Sequence, residues 1–216
     1  MNRRQKAAIP APVVRRMTRY LAHAWRRREE GVEWVSSQGI ADALGVTSST
    51  VRQDLSHLEF SGTSKRGYET KKLELALYKE LGADRVTNVA IVGAGNLGRA
   101  LALHGAFERS GFIVRGIFDS DPKAIGRRIG KLTVLGMEQL PRVVADKQID
   151  VAMIAVPEAS AQQVADELVS AGVGGLLHLA RAPIRVPPEV AVVEVRIVSS
   201  LQELLYLMKG RRRKKV

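Results

Sequence analysis

The six residues Gly93-Ala94-Gly95-Asn96-Leu97-Gly98, entered from the apolar run Val89-Ala-Ile-Val92, constrain this chain more than any other feature. A glycine turn that closes a buried strand and opens a helix is the mark of a dinucleotide-binding βαβ unit. Each glycine has its own duty there. Gly93 permits the tight turn, Gly95 lets backbone approach a pyrophosphate, and Gly98 allows the helix to lie close on the strand. The phosphates then rest on free N–H groups at the helix start, where the peptide dipoles favour anions.

The next 100 residues repeat this grammar. A second strand over 113–118 closes on Asp119, whose carboxylate can bind both ribose hydroxyls of an adenosine and repels a 2′-phosphate. The cofactor expected is therefore NAD(H) rather than NADP(H), although Lys123, Arg127 and Arg128 follow closely with opposite charge. The helix opened by the glycine loop is expected to run to about Phe107. A third strand over 150–156 is stopped by Pro157, followed by a helix over 160–171 and strands over 175–179 and 191–195. Strands alternating with helices at this spacing predict a parallel sheet of Rossmann type, here 85–198. The residues expected to hold NAD(H) are Gly93, Ala94, Gly95, Asn96, Leu97, Gly98, Asp119, Ser120, Lys123, Val156 and Pro157. An amphipathic helix over 199–208 and a basic tail complete the chain, and 199–216 is read as a dimerisation segment.

Residues 1–84 read differently, as a small helical domain. Val13, Met17, Leu21 and Trp25 recur every four residues within a helix over 12–28 that starts near Pro12. In Val35-Ser36-Ser37 a serine can cap a second helix over 38–44. Gly45-Val46-Thr47 makes a tight turn into a third helix from Ser48 to about Leu58. Ile40, Leu44, Val51, Leu55 and Leu58 can pack together, which turns Ser49, Gln53 and Ser56 outward with Arg52 and His57 on the flanks. This is a helix-turn-helix, whose second helix offers side chains able to reach base edges and phosphates. Gly62 and Gly67 bracket a short turn carrying Lys65 and Arg66, suited to a wing on the DNA backbone, and a helix over 71–81 leads to the boundary. The expected DNA-contacting set is Ser48, Ser49, Thr50, Arg52, Gln53, Ser56, His57, Lys65 and Arg66. Asp54 and Glu59 oppose a simple phosphate-binding face, and Asp54 suits an internal brace.

Charge supports this division. Residues 1–85 hold 16 lysines and arginines against 10 acidic groups, whereas 86–208 hold 12 of each. The rest of the net +12 lies in Lys209, Arg211, Arg212, Arg213, Lys214 and Lys215. A basic first domain beside a neutral second one fits a polyanion such as double-stranded DNA. The absence of cysteine removes disulfides, thiolate nucleophiles and cysteine-based metal sites, and no metal is expected. No apolar run reaches the ~18 residues of a membrane span, and the first residues lack the apolar core of a secretory leader. A cytoplasmic protein is expected.

With both halves read, the chain resembles the Rex family of redox-sensing transcriptional repressors over nearly its whole length. Val35-Ser36-Ser37, Val51-Arg52-Gln53-Asp54-Leu55-Ser56, Arg66-Gly67-Tyr68, the run from Val92 to Leu101 and Phe118-Asp119-Ser120-Asp121-Pro122 carry the likeness. Ala155-Val156-Pro157 with Ala161-Gln162, and Val186-Pro187, add to it. The resemblance implies a winged helix-turn-helix joined to a Rossmann domain, a homodimer with a swapped C-terminal helix, operator binding when NADH is scarce and release when it binds. It also implies a redox-dependent network of an arginine on the first helix, a tyrosine after the glycine-loop helix and an aspartate before the last helix. Arg16 matches the first, but His104 and Arg196 stand at the other two. His178-Leu179-Ala180-Arg181 replaces the family's Asn-Phe-Ala-Pro, and Gln53 replaces a lysine. Arg16 facing Arg196 would repel where the family has attraction, so a divergent member is expected.

Two other readings remain at this level. One is a DNA-binding regulator whose Rossmann domain only dimerises or binds another adenine nucleotide. The other is an NAD-dependent dehydrogenase with His178, or next His104, as acid/base. The chain lacks a sizeable substrate domain, and a regulator rather than an enzyme is expected.

Overall fold

The structure of the protein is a computed structural model that describes residues 9–180 and 182–213, with side chains as far as Lys209. It divides into two compact units, 1–85 and 86–216.

In the first unit, α1 (Ala11–Glu29) begins after Pro10 with Pro12 in its first turn, where a missing N–H breaks no helical bond. Arg26, Arg27 and Arg28 close it and complement the negative end of the helix dipole. Its buried face is Met17, Tyr20 and Ala24, while Trp25 is 49% exposed. The expected four-residue stripe is corrected here. Each step of four overshoots a helical turn by about 40°, so a stripe begun at Val13 has left the core by Trp25. Mixed steps of three and four stay on one face.

Ser36 caps α2 (Ser37–Leu44), its Oγ accepting from the Gly39 amide at 2.9 Å, and Gly45 ends it in the left-handed region at φ 69°. Thr47 caps α3 (Ser48–Leu55) by accepting from the Thr50 amide at 3.1 Å. This helix is shorter than the sequence suggests, and the chain turns after Ser56 to seat Leu58 in the core. Two short antiparallel strands, β1 (Trp34–Val35) and β2 (Tyr68–Glu69), form the base of the wing. From there α4 (Thr70–Glu80) runs against α1. Met17, Tyr20, Ile40, Val51, Leu55, Leu73 and Leu77 make the core of this unit.

The second unit contains β3 (Thr87–Val92), α5 (Asn96–Ala102), α6 (Ala106–Arg109), β4 (Phe112–Asp119), β5 (Arg128–Ile129), β6 (Leu132–Gly136) and α7 (Leu140–Lys147). It continues with β7 (Val151–Ile154), α8 (Glu158–Ser170), β8 (Gly175–His178), β9 (Ala191–Glu194) and α9 (Ile197–Arg213). The sheet order is β5-β6-β4-β3-β7-β8-β9, parallel except for the hairpin strand β5. Leaving out β5, this is the 3-2-1-4-5-6 order of a Rossmann sheet. Alternate residues of β3 serve opposite layers: Ala90 and Val92 face one core with Phe118, Ile154 and Leu168, and Val89 and Ile91 face another with Ile117 and Met153.

Three expectations are revised. The helix after the glycine loop stops at Ala102, and the chain turns through Leu103–Gly105 before α6, since His104 and Gly105 are poor helix formers. The segment 120–149, without elements in the sequence reading, supplies β5, β6 and α7. The last helix is also longer than expected, and it leaves Leu201, Leu204, Leu205, Tyr206 and Leu207 more than half exposed.

Candidate functional site

The glycine loop lies between the C-terminal ends of β3 and β7, where connections leave in opposite directions and a Rossmann sheet opens a crevice. Its three glycines have different reasons to lack a side chain. A Cβ on Gly93, whose φ is 102°, would stand 2.5 Å from the Ala155 carbonyl oxygen, and one on Gly98 would stand 1.7 Å from that of Gly93. Both are demanded by the fold. A Cβ on Gly95 would meet nothing within 4 Å. Among the described residues nothing demands that glycine, and the space before it is a cleft of about 660 Å³. Asp119 stands on its rim at the end of β4. Its Oδ2 accepts from the Ala94 amide at 2.6 Å and its Oδ1 from the Asp121 amide at 2.9 Å. Each oxygen keeps a lone pair for a hydroxyl donor.

The cleft brings together Gly93, Ala94, Gly95, Asn96, Asp119, Ser120, Lys123, Val156 and Pro157 from the expected set. It does not include Gly98, which is buried beneath Gly93, or Leu97, which is 44% exposed on the outer side of α5. The sequence reading missed Arg99, Ser160, Gln163 and Glu167, which also line it. Arg99, one turn along the loop helix, could have been found from helical spacing. The three α8 residues depend on a tertiary approach that no local pattern records. The residues fit an ADP-bearing dinucleotide: an open backbone approach, the first amides of α5 and a carboxylate fixed at the rim.

In the first unit α3 and its C-cap expose Ser49, Arg52, Gln53 and Ser56, with Ser48, Thr50 and His57 half-buried at the edges. Arg52 donates to Ser37 Oγ at 3.3 Å, which ties it to the start of α2. Lys65 and Arg66 are exposed on the wing turn. Beneath this face Asp54 is only 2% exposed. Arg16 grips it from α1 with Nε at 2.6 Å and Nη2 at 2.8 Å, and Tyr20 Oη donates to it at 2.7 Å. Burial pushes the Asp54 carboxyl up, but hydrogen bonds from Arg16 and Tyr20, and the arginine charge, outweigh it and hold it below the usual carboxylate range. Burial and the same carboxylate push the Tyr20 phenol up. Asp54 is thus the brace that fixes α3 on α1.

A family model described as "CoA binding domain" matches residues 84–182, and one described as "Putative DNA-binding protein N-terminus" matches residues 8–56. The redox-sensing transcriptional repressor Rex of Carboxydothermus hydrogenoformans is 39% identical, over 92% of this chain and 95% of its own. That of Clostridioides difficile is 35% identical, over 93% and 96%. The chain belongs to the Rex family. Among solved structures, RSP, a Rex-family repressor, superposes with TM-score 0.88 at 33% identity, over 97% of this chain and 98% of that one. Crystal structures of RSP with β-NADH, and with β-NAD+ and operator DNA, also match at TM-score 0.88. They have 34% and 33% identity, cover 97% of this chain, and are themselves covered over 99% and 97%.

The three residues expected at a switch, Arg16, His104 and Arg196, occupy distinct settings. Arg16 is committed to Asp54 within its own unit. Arg196 donates from Nε to Glu194 Oε2 at 2.7 Å and pairs through Nη2 with the same oxygen. His104 sits in the turn between α5 and α6, edge-on to Phe107 with ring centroids 5.2 Å apart. Each of the two arginines thus carries a carboxylate within its own unit. His178 is 1% exposed with Nε2 against the Ala182 carbonyl, while Arg181 lies outside the described residues. Among the described residues no acidic or histidine cluster could hold a metal, and no helix is long and apolar enough to cross a membrane.

Proposed function

We propose that this Rex-family chain is a homodimeric transcriptional repressor that binds double-stranded operator DNA and responds to the NADH/NAD+ ratio. The observation that carries the reading is Gly95. Its missing side chain serves a ligand and not the fold, and the same chain carries a winged helix-turn-helix. Gly93, Ala94, Gly95, Asn96, Val156 and Pro157 receive the pyrophosphate half of NAD(H), Asp119 takes the ribose hydroxyls, and Ser120 and Lys123 flank them. NAD(H) supplies a nicotinamide whose charge and shape change with redox state. Residues 1–84 form the reading head, 85–198 bind the nucleotide, and 199–216 pair two copies. The partner is a second copy of this chain, because the apolar side chains of α9 have no cover in their own subunit.

Ser48, Ser49, Thr50, Gln53, Ser56 and His57 face the major groove, Arg52 anchors at its edge, and Lys65 and Arg66 contact backbone from the wing. Two heads joined through their Rossmann domains read two half-sites, so a ligand that rotates one subunit against the other removes both from register. A hundredfold release requires the nucleotide to favour the released state by about 2.7 kcal/mol. The protein acts in the cytoplasm as a regulator and not as an enzyme.

Operator affinity measured by fluorescence anisotropy, titrated separately with NADH and NAD+, tests this. Release by NADH at concentrations where NAD+ leaves the complex intact is the expected result. Indifference to both would support the second reading, favoured by His104 and Arg196: a DNA-binding dimer that has kept the nucleotide fold without the sensor.

A further inference from the structure

Arg66 lies over the face of Trp34, its guanidinium carbon 4.1 Å from the ring centroid. We infer that Trp34 is a positioning residue for the DNA contact of this repressor, holding Arg66 of the wing as a preformed phosphate or groove probe. The inference rests on the operator-binding reading above and assigns a role to a residue outside the recognition helix.

The wing is built to bring these two side chains together. Its turn is closed by the Thr63 amide on the Gly67 carbonyl at 2.7 Å and by the Gly67 amide on the Thr63 carbonyl at 3.0 Å. Lys65 takes φ 62° at its tip. Gly67 passes so close to β1 that a Cβ would stand 2.4 Å from the Val35 carbonyl oxygen, and one on Gly62 would stand 2.9 Å from both the Gly67 carbonyl oxygen and the Tyr68 ring. The turn is thereby pressed onto β1, whose first residue is Trp34. The indole Nε1 is buried without a hydrogen-bond partner, while one ring face is left for Arg66.

Stacking suits a probe. An arginine on an aromatic face keeps its donors in the plane of the guanidinium, clear of the ring, and loses fewer rotamers when a phosphate arrives. Among the described residues no carboxylate competes for Arg66. Arg16, Arg27, Arg28 and Arg196 all carry one. A wing arginine kept extended, ordered and unneutralised has its charge available for a polyanion.

The test is operator binding of the full-length protein in a double-mutant cycle. Arg66→Ala should weaken binding about tenfold. Trp34→Leu should weaken it about fivefold, the size of one exposed cation–π pair. Trp34→Phe should stay within about twofold of wild type, because a ring face remains. Trp34→Leu added to Arg66→Ala should have no further effect, a non-additivity that mere loss of packing would not produce. If Trp34→Leu leaves binding unchanged or tightens it while Arg66→Ala weakens it, Trp34 does not position the probe and the inference falls, with operator binding by the wing left standing. If Arg66→Ala itself changes nothing, the wing contact fails and takes the inference with it. Should Trp34→Leu prevent folding, Arg66→Lys decides: it keeps the charge without the planar stack, and undiminished affinity would overturn the proposal.

Discussion

Replacing Asp54 by asparagine isolates the brace between α1 and α3. The change is isosteric, but it turns a carboxylate that accepts three hydrogen bonds into an amide whose N–H2 faces an Arg16 N–H in either orientation, and the Tyr20 hydroxyl as well in one of them. Removing one partner of a buried ion pair costs about 3–5 kcal/mol. The Arg16 side chain is 28% exposed and recovers part of its hydration, so a loss of about 2–3 kcal/mol is expected. For a unit of this size that lowers Tm by about 10–20 °C. Both tryptophans, Trp25 and Trp34, lie in residues 1–85. Urea unfolding followed by tryptophan fluorescence therefore reports this unit and not the sheet. Since the folded Asp54 carboxyl is held below its ordinary range, its stabilisation is full at neutral pH and is lost as pH falls through the ordinary value towards the folded one. The gap between wild type and Asp54→Asn must therefore close on acidification. A variant within about 0.5 kcal/mol of wild type at pH 7, or a gap that widens in acid, would refute the brace.

Four further substitutions test other parts of the structure. Gly95→Val should keep the wild-type Tm and lose more than about tenfold in NADH affinity by calorimetry. Gly98→Ala should destabilise the second unit, because its methyl collides with the Gly93 carbonyl; equal behaviour of the two would undo the division of duties within the loop. Asp119→Ala should weaken NADH and NAD+ alike, because it removes an acceptor at the ribose end, and unchanged affinity for both would sink that assignment. Glu74, with a side chain 4% exposed and Oε1 3.1 Å from Arg28, has its carboxyl pushed up by burial, which Arg28 only partly opposes. Its contribution is greatest when protonated and fades as pH rises through the raised value, so Glu74→Gln should gain on wild type as pH increases. A difference in Tm that does not change with pH would contradict this.

The parts legible in the sequence were those whose determinants are local. Gly93 to Gly98 follow a buried strand within ten residues, and Ser36 reaches an amide three residues on, so loop, first cap and helix-turn-helix are legible locally, whereas Thr47, which reads as a turn residue, caps α3 in the structure. The strand over 132–136 is not legible, because five residues behind a two-residue hairpin strand carry little periodic signal. The stripe through Trp25 misleads because four-residue spacing only approximates a helical turn. What escaped altogether were pairs brought together by folding. Arg66 meets Trp34 across 32 positions, and Gln163 and Glu167 reach the glycine-loop cleft from a helix about 70 residues beyond the loop. Asp54 was separated from the DNA-contacting set by its charge, but its partners Arg16 and Tyr20 became evident only once α1 was laid across α3.

The exposed apolar side chains of α9 bear on inheritance. On the proposed pairing of two copies through α9, a subunit whose reading head is damaged, by Arg52→Ala for example, would keep this helix and still recruit an intact subunit into a pair with one working head. Since a single head grips an operator far more weakly than two, such an allele should silence the wild-type copy beside it in a merodiploid. A truncation before Ile197 should instead be recessive.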